Sequence, residues 1–316
     1  MIADGIRYSL STMFAQQKRF DDMHDFARAV QAAGYDAIEV SHSTDAPRFE
    51  RLLNGSGARL SSIHAPAPRV QVNGKNNSSL NLAALNDEER RTAIEHTKRS
   101  IDHAAAAGAR FVVVHLGGAG NEMLDSERKM RRLFDLSTSL KAGSGTRSGD
   151  QYESLRRETL ERRAEIAPPY FERAREALAE LAAHARERGV ALGLENRLHH
   201  HEIPLPHEAL TLVADYAPED VGYWHDVGHA EVQARLGYVD KLAWLDTNGA
   251  RTIGAHLHDV DGIGDHRAPG NGDVEWDYIA RGLPATALRV FEINQHEPDA
   301  DLARAIPFLR ERGVVA

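Results

Sequence analysis

The chain has 316 residues, enough for one large domain with a substantial buried core. It contains no cysteine, which excludes disulfides, thiolate nucleophiles and cysteine-type zinc sites. Its 38 Lys and Arg residues against 47 Asp and Glu give a formal net charge of −9, which argues against a nucleic-acid partner because phosphate binding usually needs clustered positive charge.

The first residues carry neither the basic region nor the long apolar run of a signal peptide. No run elsewhere approaches the roughly 18 apolar residues of a membrane span. We therefore expect a cytoplasmic protein that does not associate with membranes.

Short β-branched or apolar runs alternate with amphipathic stretches along the whole chain, a pattern typical of a parallel α/β sheet. The predicted strands are residues 6–10, 37–41, 60–64, 111–115, 191–195, 221–226, 253–258 and 288–293. The predicted helices include residues 22–33, 87–107, 169–188, 207–214 and 302–312. This alternation predicts a single-domain (β/α)8 TIM barrel over residues 1–316.

Two connections are longer than the short loops normal for such units. The first, residues 117–168 after the fourth strand, is a predicted helical insertion in which charged helical sequence flanks a segment rich in glycine and serine. The second covers residues 259–274. Because both follow strands, both should lie over the face that carries the chemistry. The insertion is compatible with a mobile lid and with a contact in a homo-oligomer.

Metal-binding or acid–base side chains stand at the ends of the predicted strands. They are His64, His115, Glu195, Asp226, His256, His258 and Glu292. Parallel barrels place their chemistry at the carboxyl ends of the strands, so these side chains should converge on one mouth. A carboxylate inside an apolar strand is costly to bury unless it is paired or bound to metal.

The last four strands provide two Glu, one Asp and one or two His, a mixture of hard oxygen and borderline nitrogen donors. The candidate metal ligands are Glu195, Asp226, His256, His258 and Glu292. This set suits one divalent ion of Mn²⁺, Mg²⁺, Co²⁺ or Zn²⁺ without choosing among them. Two carboxylates beside a metal also suit proton transfer at a carbon next to a carbonyl.

At these residues the chain resembles the xylose isomerase-like barrel superfamily, which joins sugar isomerases and epimerases, inosose-type dehydratases and endonuclease IV. The resemblance covers nearly the whole chain. Its most specific pieces are His64-Ala65-Pro66, the predicted turn Asp226-Val227-Gly228-His229, and His256-Leu257-His258-Asp259 followed by Pro269-Gly270-Asn271-Gly272-Asp273.

The resemblance implies a metal-dependent isomerase or epimerase acting on a small carbohydrate, a keto-sugar or an inosose. It implies metal ligands at Glu195, Asp226, Glu292 and either His256 or His258, with the two Glu as the catalytic acid–base pair. The residues that it places against substrate are His64, His115, His229, His266 and Arg267. The chain departs from the epimerase pattern where a further Glu is expected, because His201 stands there with Glu202 beside it.

The same superfamily offers a rival, the zinc phosphodiesterase endonuclease IV, which acts on abasic DNA. Its extra metal ligands would correspond to His64, His115, His229 and His266. Against it stand the acidic balance, the long insertion, and the adjacency of Asp265 and His266 where the rival has the two residues separated by one. A carbohydrate dehydratase or lyase, and a binding barrel without turnover, are further alternatives.

Several other residues allow two interpretations. Glu39, at the end of the second strand, suits a hydrogen bond to substrate or a pair with a basic neighbour. The tract His199-His200-His201 is expected in the loop after the fifth strand, where His201 or Glu202 could touch substrate. The three tryptophans, Trp224, Trp244 and Trp276, are expected to pack in the core.

Overall fold

The structure is a computed structural model that describes residues 5–54, 57–139 and 149–316. Its strands are β1 (Tyr8–Ser11), β2 (Ala37–Val40), β3 (Leu60–His64), β4 (Gln71–Val72), β5 (Lys75–Asn76), β6 (Phe111–Val114), β7 (Ala191–Glu195), β8 (Val221–Asp226), β9 (Thr252–Leu257), β10 (Asp259–Asp261), β11 (Gly264–Arg267) and β12 (Leu288–Phe291). Eight of them, all paired in parallel, close into a barrel in the order β1-β12-β9-β8-β7-β6-β3-β2. The predicted TIM barrel is confirmed.

Helices surround this barrel. They are α1 (Met23–Ala32), α2 (Ala46–Leu53), α3 (Asp87–Ala106), α4 (Asp125–Ser139), α5 (Asp150–Arg188), α6 (Pro206–Val213), α7 (Val227–Arg235), α8 (Lys241–Asn248), α9 (Trp276–Gly282) and α10 (Asp299–Glu311). In the described part of the chain, none is both long and apolar enough to cross a bilayer.

The lower half of the barrel is filled by apolar side chains, so it is a packed core rather than a channel. Trp224 is fully buried there, packed with Phe111 and Val290 among others. Its indole occupies the space beside Gly193 and Gly254, where an added methyl group would lie 2.6 Å and 2.2 Å from ring carbons. Trp224 also packs edge-on against His256, which makes it the floor of the mouth. Trp244 and Trp276 are buried too, as predicted.

The insertion after β6 differs from the predicted pattern in one respect. The predicted pattern ended the insertion at Pro168 and began a separate helix at Pro169. The structure has one helix, α5, running through both prolines, because strong helix formers lie on both sides and α5 packs against α3 and α4. Residues 140–148, the glycine- and serine-rich part, lie outside the described residues.

Two further differences lie at the mouth. The segment after β8, predicted as a turn, is the first turn of α7, with Asp226 as its N-cap. The loop after β9 folds back as an antiparallel hairpin of β10 and β11. Both place backbone N–H groups beside the strand ends, where side chains of the candidate site can accept from them.

We predict that Gly254→Ala lowers the free energy of unfolding by about 1–3 kcal/mol, because the new methyl group must displace a buried indole. Urea denaturation measures the change. Gly249→Ala is the matched control, since Gly249 has helical dihedral angles and its nearest neighbour to a new methyl is a carbonyl oxygen at 3.3 Å. Equal losses in the two variants would contradict the assignment of Trp224 as a rigid floor.

Candidate functional site

The ends of the last barrel strands bring Glu195, Asp226, His256 and Glu292 together at the mouth. One ligand atom from each lies within 4.8 Å of the others, and all four side chains are buried. Glu292 Oε1 has no hydrogen-bond partner among the described residues. Three carboxylates so close and so buried repel one another unless positive charge lies between them. The donor set and its orphaned oxygen fit a divalent cation.

The orientation of His256 supports the same interpretation. Its Nε2 lies 2.9 Å from Glu39 Oε1, while the hydroxyl of Ser62 donates to Glu39 Oε2 at 2.6 Å. With Nε2–H donated to Glu39, the lone pair of Nδ1 faces Glu195 Oε1 at 3.0 Å and Glu292 Oε2 at 3.2 Å. A metal-binding imidazole characteristically gives its other N–H to such an outer carboxylate.

The charge around His256 points in the same direction. Burial alone lowers the pKa of His256, but Glu292, Glu39 and Glu195 together hold it well above its ordinary value. The carboxylates therefore draw positive charge to Nδ1. Of the two interpretations of Glu39, the structure therefore supports pairing with a basic neighbour. That neighbour is the imidazole of His256, and Ser62 also donates to Glu39.

His258 lies outside this ligand group. Its Nδ1 accepts from the backbone N–H of His266 at 2.8 Å, so the ring proton is on Nε2, which lies 3.0 Å from both carboxylate oxygens of Asp226. His258 therefore donates to the Asp226 carboxylate and fixes its orientation. Gly228 is required for this arrangement, because a methyl group there would lie 2.0 Å from the His258 ring.

Asn196 connects the two neighbouring strand ends. Its side chain accepts from Asp226 N at 2.7 Å and donates to Asp226 O at 2.8 Å. Its own carbonyl lies 3.0 Å from His229 Nδ1, so the Nε2 of His229 is left to face the mouth. Asp226, His229 and His266 form a second group whose ligand atoms lie within 4.8 Å of one another.

His64 and His115 lie on the other side of Glu195. Their Nε2 atoms are 2.5 Å apart, and Glu195 Oε2 lies 3.1 Å from the first and 2.5 Å from the second. Burial together with Arg197 and His64 lowers the pKa of His115 to about 3. For His64, Glu195 and Glu292 outweigh burial and raise the pKa to about 9.

Two side chains at the mouth were missed from the sequence. Arg197 reaches His115 Nε2 with its Nη1 at 2.5 Å and is paired with Glu202. The signal for it was available, because Arg197 stands two residues after Glu195 and extended chain returns to the same face at that spacing. His42, just after β2, packs edge-on against His64 and forms a third group with His64 and His115.

Arg267 and the histidine tract lie away from the candidate ligand carboxylates of Glu195, Asp226 and Glu292. Arg267 is about 39% exposed and donates to Glu297 at 2.5 Å. His199 and the backbone N–H of His200 bind Glu127 of α4, and His201 is buried. Glu202 pairs with Arg197. Glu127, at the base of the insertion, thus anchors the loop after β7.

Comparison with known proteins places this geometry in a family. A family model described as a xylose isomerase-like TIM barrel matches residues 27–312. An uncharacterized protein of Sinorhizobium fredii, y4fM, is 26% identical over 254 residues, which cover 76% of this chain and 67% of that protein.

Solved structures agree on the fold. An L-ribulose 3-epimerase superposes with a TM-score of 0.65 at 15% identity, over 98% of this chain and 94% of its own. The 3-keto-D-glucoside 4-epimerase YcjR of E. coli gives a TM-score of 0.64 at 14% identity, over 97% and 99%. At these identities the likeness concerns the fold.

His200 provides a pH test of the loop after β7. Burial, together with Arg163, lowers the pKa of His200 to about 4, and its ring stacks on Tyr238. In the unfolded chain His200 takes up a proton near the ordinary histidine pKa of about 6.5, whereas in the folded protein it does so only near pH 4. Because the unfolded state binds more protons between these values, acidification from about pH 6.5 to pH 4 favours unfolding. We predict that His200→Gln reduces the fall in melting temperature over that range.

Thermal unfolding at a series of pH values checks this. His24→Gln serves as the control, because it makes the same side-chain change at an exposed position on α1. If the melting temperatures of the wild type and of His200→Gln fall in parallel between pH 7 and pH 4, His200 is not a neutral buried side chain in the folded protein.

Proposed function

The chain belongs to the xylose isomerase-like TIM barrel family, and on that premise we propose that it is a divalent-metal-dependent sugar isomerase or epimerase. The observation that carries the proposal is the buried group of Glu195, Asp226, His256 and Glu292, in which Glu195 and Glu292 face each other across His256 Nδ1. The named activities of the two epimerases above concern keto-sugars and support a keto-sugar as the substrate class, with an inosose as the alternative that the sequence resemblance implies.

One ion of Mn²⁺, Mg²⁺, Co²⁺ or Zn²⁺ would be held by Glu195, Asp226, His256 and Glu292. When bound, it supplies Lewis-acid polarisation of the substrate's carbonyl and hydroxyl oxygens. Outer groups keep the ligands in position: Glu39 orients His256, and His258 donates to Asp226.

Proton transfer is assigned to the two Glu residues. Glu195 ends β7 and Glu292 follows β12, with β8 and β9 between them in the barrel, so they reach a bound sugar from different sides. One carboxylate removes the proton from the carbon next to the carbonyl, and the other returns a proton to it. His64, His115, His229 and His266 line the same mouth and would bind the substrate's oxygens. A cytoplasmic location and a homo-oligomeric state stay predictions.

The metal assignment is tested by Glu195→Ala and Asp226→Ala. Each removes a buried oxygen ligand, so we predict that the purified variants lose the metal that the wild type retains, measured by elemental analysis. Asp246→Ala, on the exposed side of α8, is the control and should keep the wild-type metal content. Unchanged metal content and thermal stability in both site variants would contradict the ligand set.

The acid–base assignment is tested by turnover in D₂O, which should place deuterium on the carbon next to the carbonyl. Glu195→Gln and Glu292→Gln keep an oxygen donor, so we predict that kcat falls by roughly 10²–10⁴ while metal is retained. Mass spectrometry and NMR of the product measure the exchange. Turnover without solvent deuterium would instead indicate a hydride shift or hydrolysis.

A nuclease of the endonuclease IV type is the second candidate. The observation in its favour is that His64, His115, His229 and His266 all reach the mouth, in two groups beside the first. That function requires about three zinc ions per chain and cleavage of a duplex that contains an abasic site. Metal binding without proton exchange on any keto-sugar or inosose would favour a binding barrel.

A further inference from the structure

The side of the mouth next to β3 and β6 has the donor set of a second metal site. His64 Nε2 and His115 Nε2 lie 2.5 Å apart, and both are within 3.1 Å of Glu195 Oε2. Two imidazoles and a carboxylate are common zinc ligands. Glu195 offers its other oxygen, Oε1, to the His256 group, so by donor chemistry alone it could bridge two ions.

Arg197 points into this same donor set. Its Nη1 lies 2.5 Å from His115 Nε2 and 3.5 Å from Glu195 Oε2. An imidazole nitrogen has a single lone pair, and one that accepts from a guanidinium cannot bind a metal at the same time. A guanidinium keeps its charge at all ordinary pH values, so it also repels a cation brought beside it in a buried pocket.

Arg197 is fixed in this position. Glu202 Oε1 lies 3.1 Å from Arg197 Nε and 3.0 Å from Arg197 Nη2. The backbone carbonyl of Arg197 accepts from the side chain of Gln233 at 2.7 Å. Glu202 is itself held by the backbone N–H of His199 at 2.8 Å. Movement of Arg197 out of the mouth would leave the half-buried Glu202 carboxylate without this counter-ion, which is costly.

We propose that Arg197, positioned by Glu202, closes the His64–His115 pair to metal and so keeps this side of the mouth free of a second ion. The inference rests on the proposed metal centre at Glu195, Asp226, His256 and Glu292. It leaves His64 and His115 to bind substrate, and it gives a structural reason for a low metal count in a mouth that is rich in histidine.

The test is the number of zinc ions that the full-length protein retains after equilibration with zinc and desalting. Arg197→Met should retain one zinc ion per chain more than the wild type, because it removes both the guanidinium donor at His115 Nε2 and the fixed positive charge beside it. Adding His115→Gln to Arg197→Met should return the count to the wild-type value. A purely structural role of Arg197 would not produce a gain that a ligand change reverses.

Two further variants keep the test decisive. Arg197→Met/Glu202→Gln removes the unpaired carboxylate as well, so it should show the same gain if Arg197→Met alone folds poorly. Arg162→Met removes an exposed guanidinium of α5 that is paired with Glu165, and it should keep the wild-type count.

The proposal is overturned if neither Arg197 variant gains zinc, or if His115→Gln in the wild-type background loses one ion. Failure of the proposed function has a different signature, because Asp226→Ala would then leave the wild-type metal content unchanged whatever residue stands at position 197.

Discussion

Buried carboxylates at one barrel mouth are the constraint around which the site is built. Four of them are shielded from water: Glu39, Glu195, Asp226 and Glu292. A buried ion without compensation costs several kcal/mol, so each must be given donors or positive charge. The structure supplies these from imidazoles, one guanidinium, backbone N–H groups and a serine hydroxyl, and the proposed cation would complete the set at the centre.

Three of the imidazoles can fulfil this role because contacts on their other nitrogen atoms orient the rings. Glu39 fixes His256, the backbone N–H of His266 fixes His258, and the carbonyl of Asn196 fixes His229. Each contact decides which nitrogen carries the proton, and thereby whether a ring donates to a carboxylate or offers a lone pair. Rings held in this way need little reorganisation when substrate binds, which favours catalysis by preorganised groups.

The barrel and most of the mouth could be predicted because both depend on local pattern: an apolar strand followed by a ligand residue. The choice between His256 and His258 could not be predicted, since strand period places both on one face. The structure places His256 in the carboxylate group, whereas the backbone N–H that the β10–β11 hairpin brings to His258 Nδ1 leaves that ring to donate to Asp226. The spacing of Arg197 from Glu195 could have placed it at the mouth, but its fixed position there depends on pairing with Glu202 across a loop. The continuous α5 could not be predicted, because tertiary packing overrides two prolines.

The insertion after β6 is connected to this chemistry without entering the mouth. Glu127 of α4 accepts from His199 and from the backbone N–H of His200, while Arg131 donates to Leu198 O. These contacts hold the loop that carries Arg197 and Glu202. Since Arg197 contacts both His115 and Glu195, the base of the insertion helps to set the position of groups beside the proposed metal ligands. A change in the base of this insertion can therefore shift Arg197 within the mouth, while the barrel strands keep Glu195 and Asp226 in place.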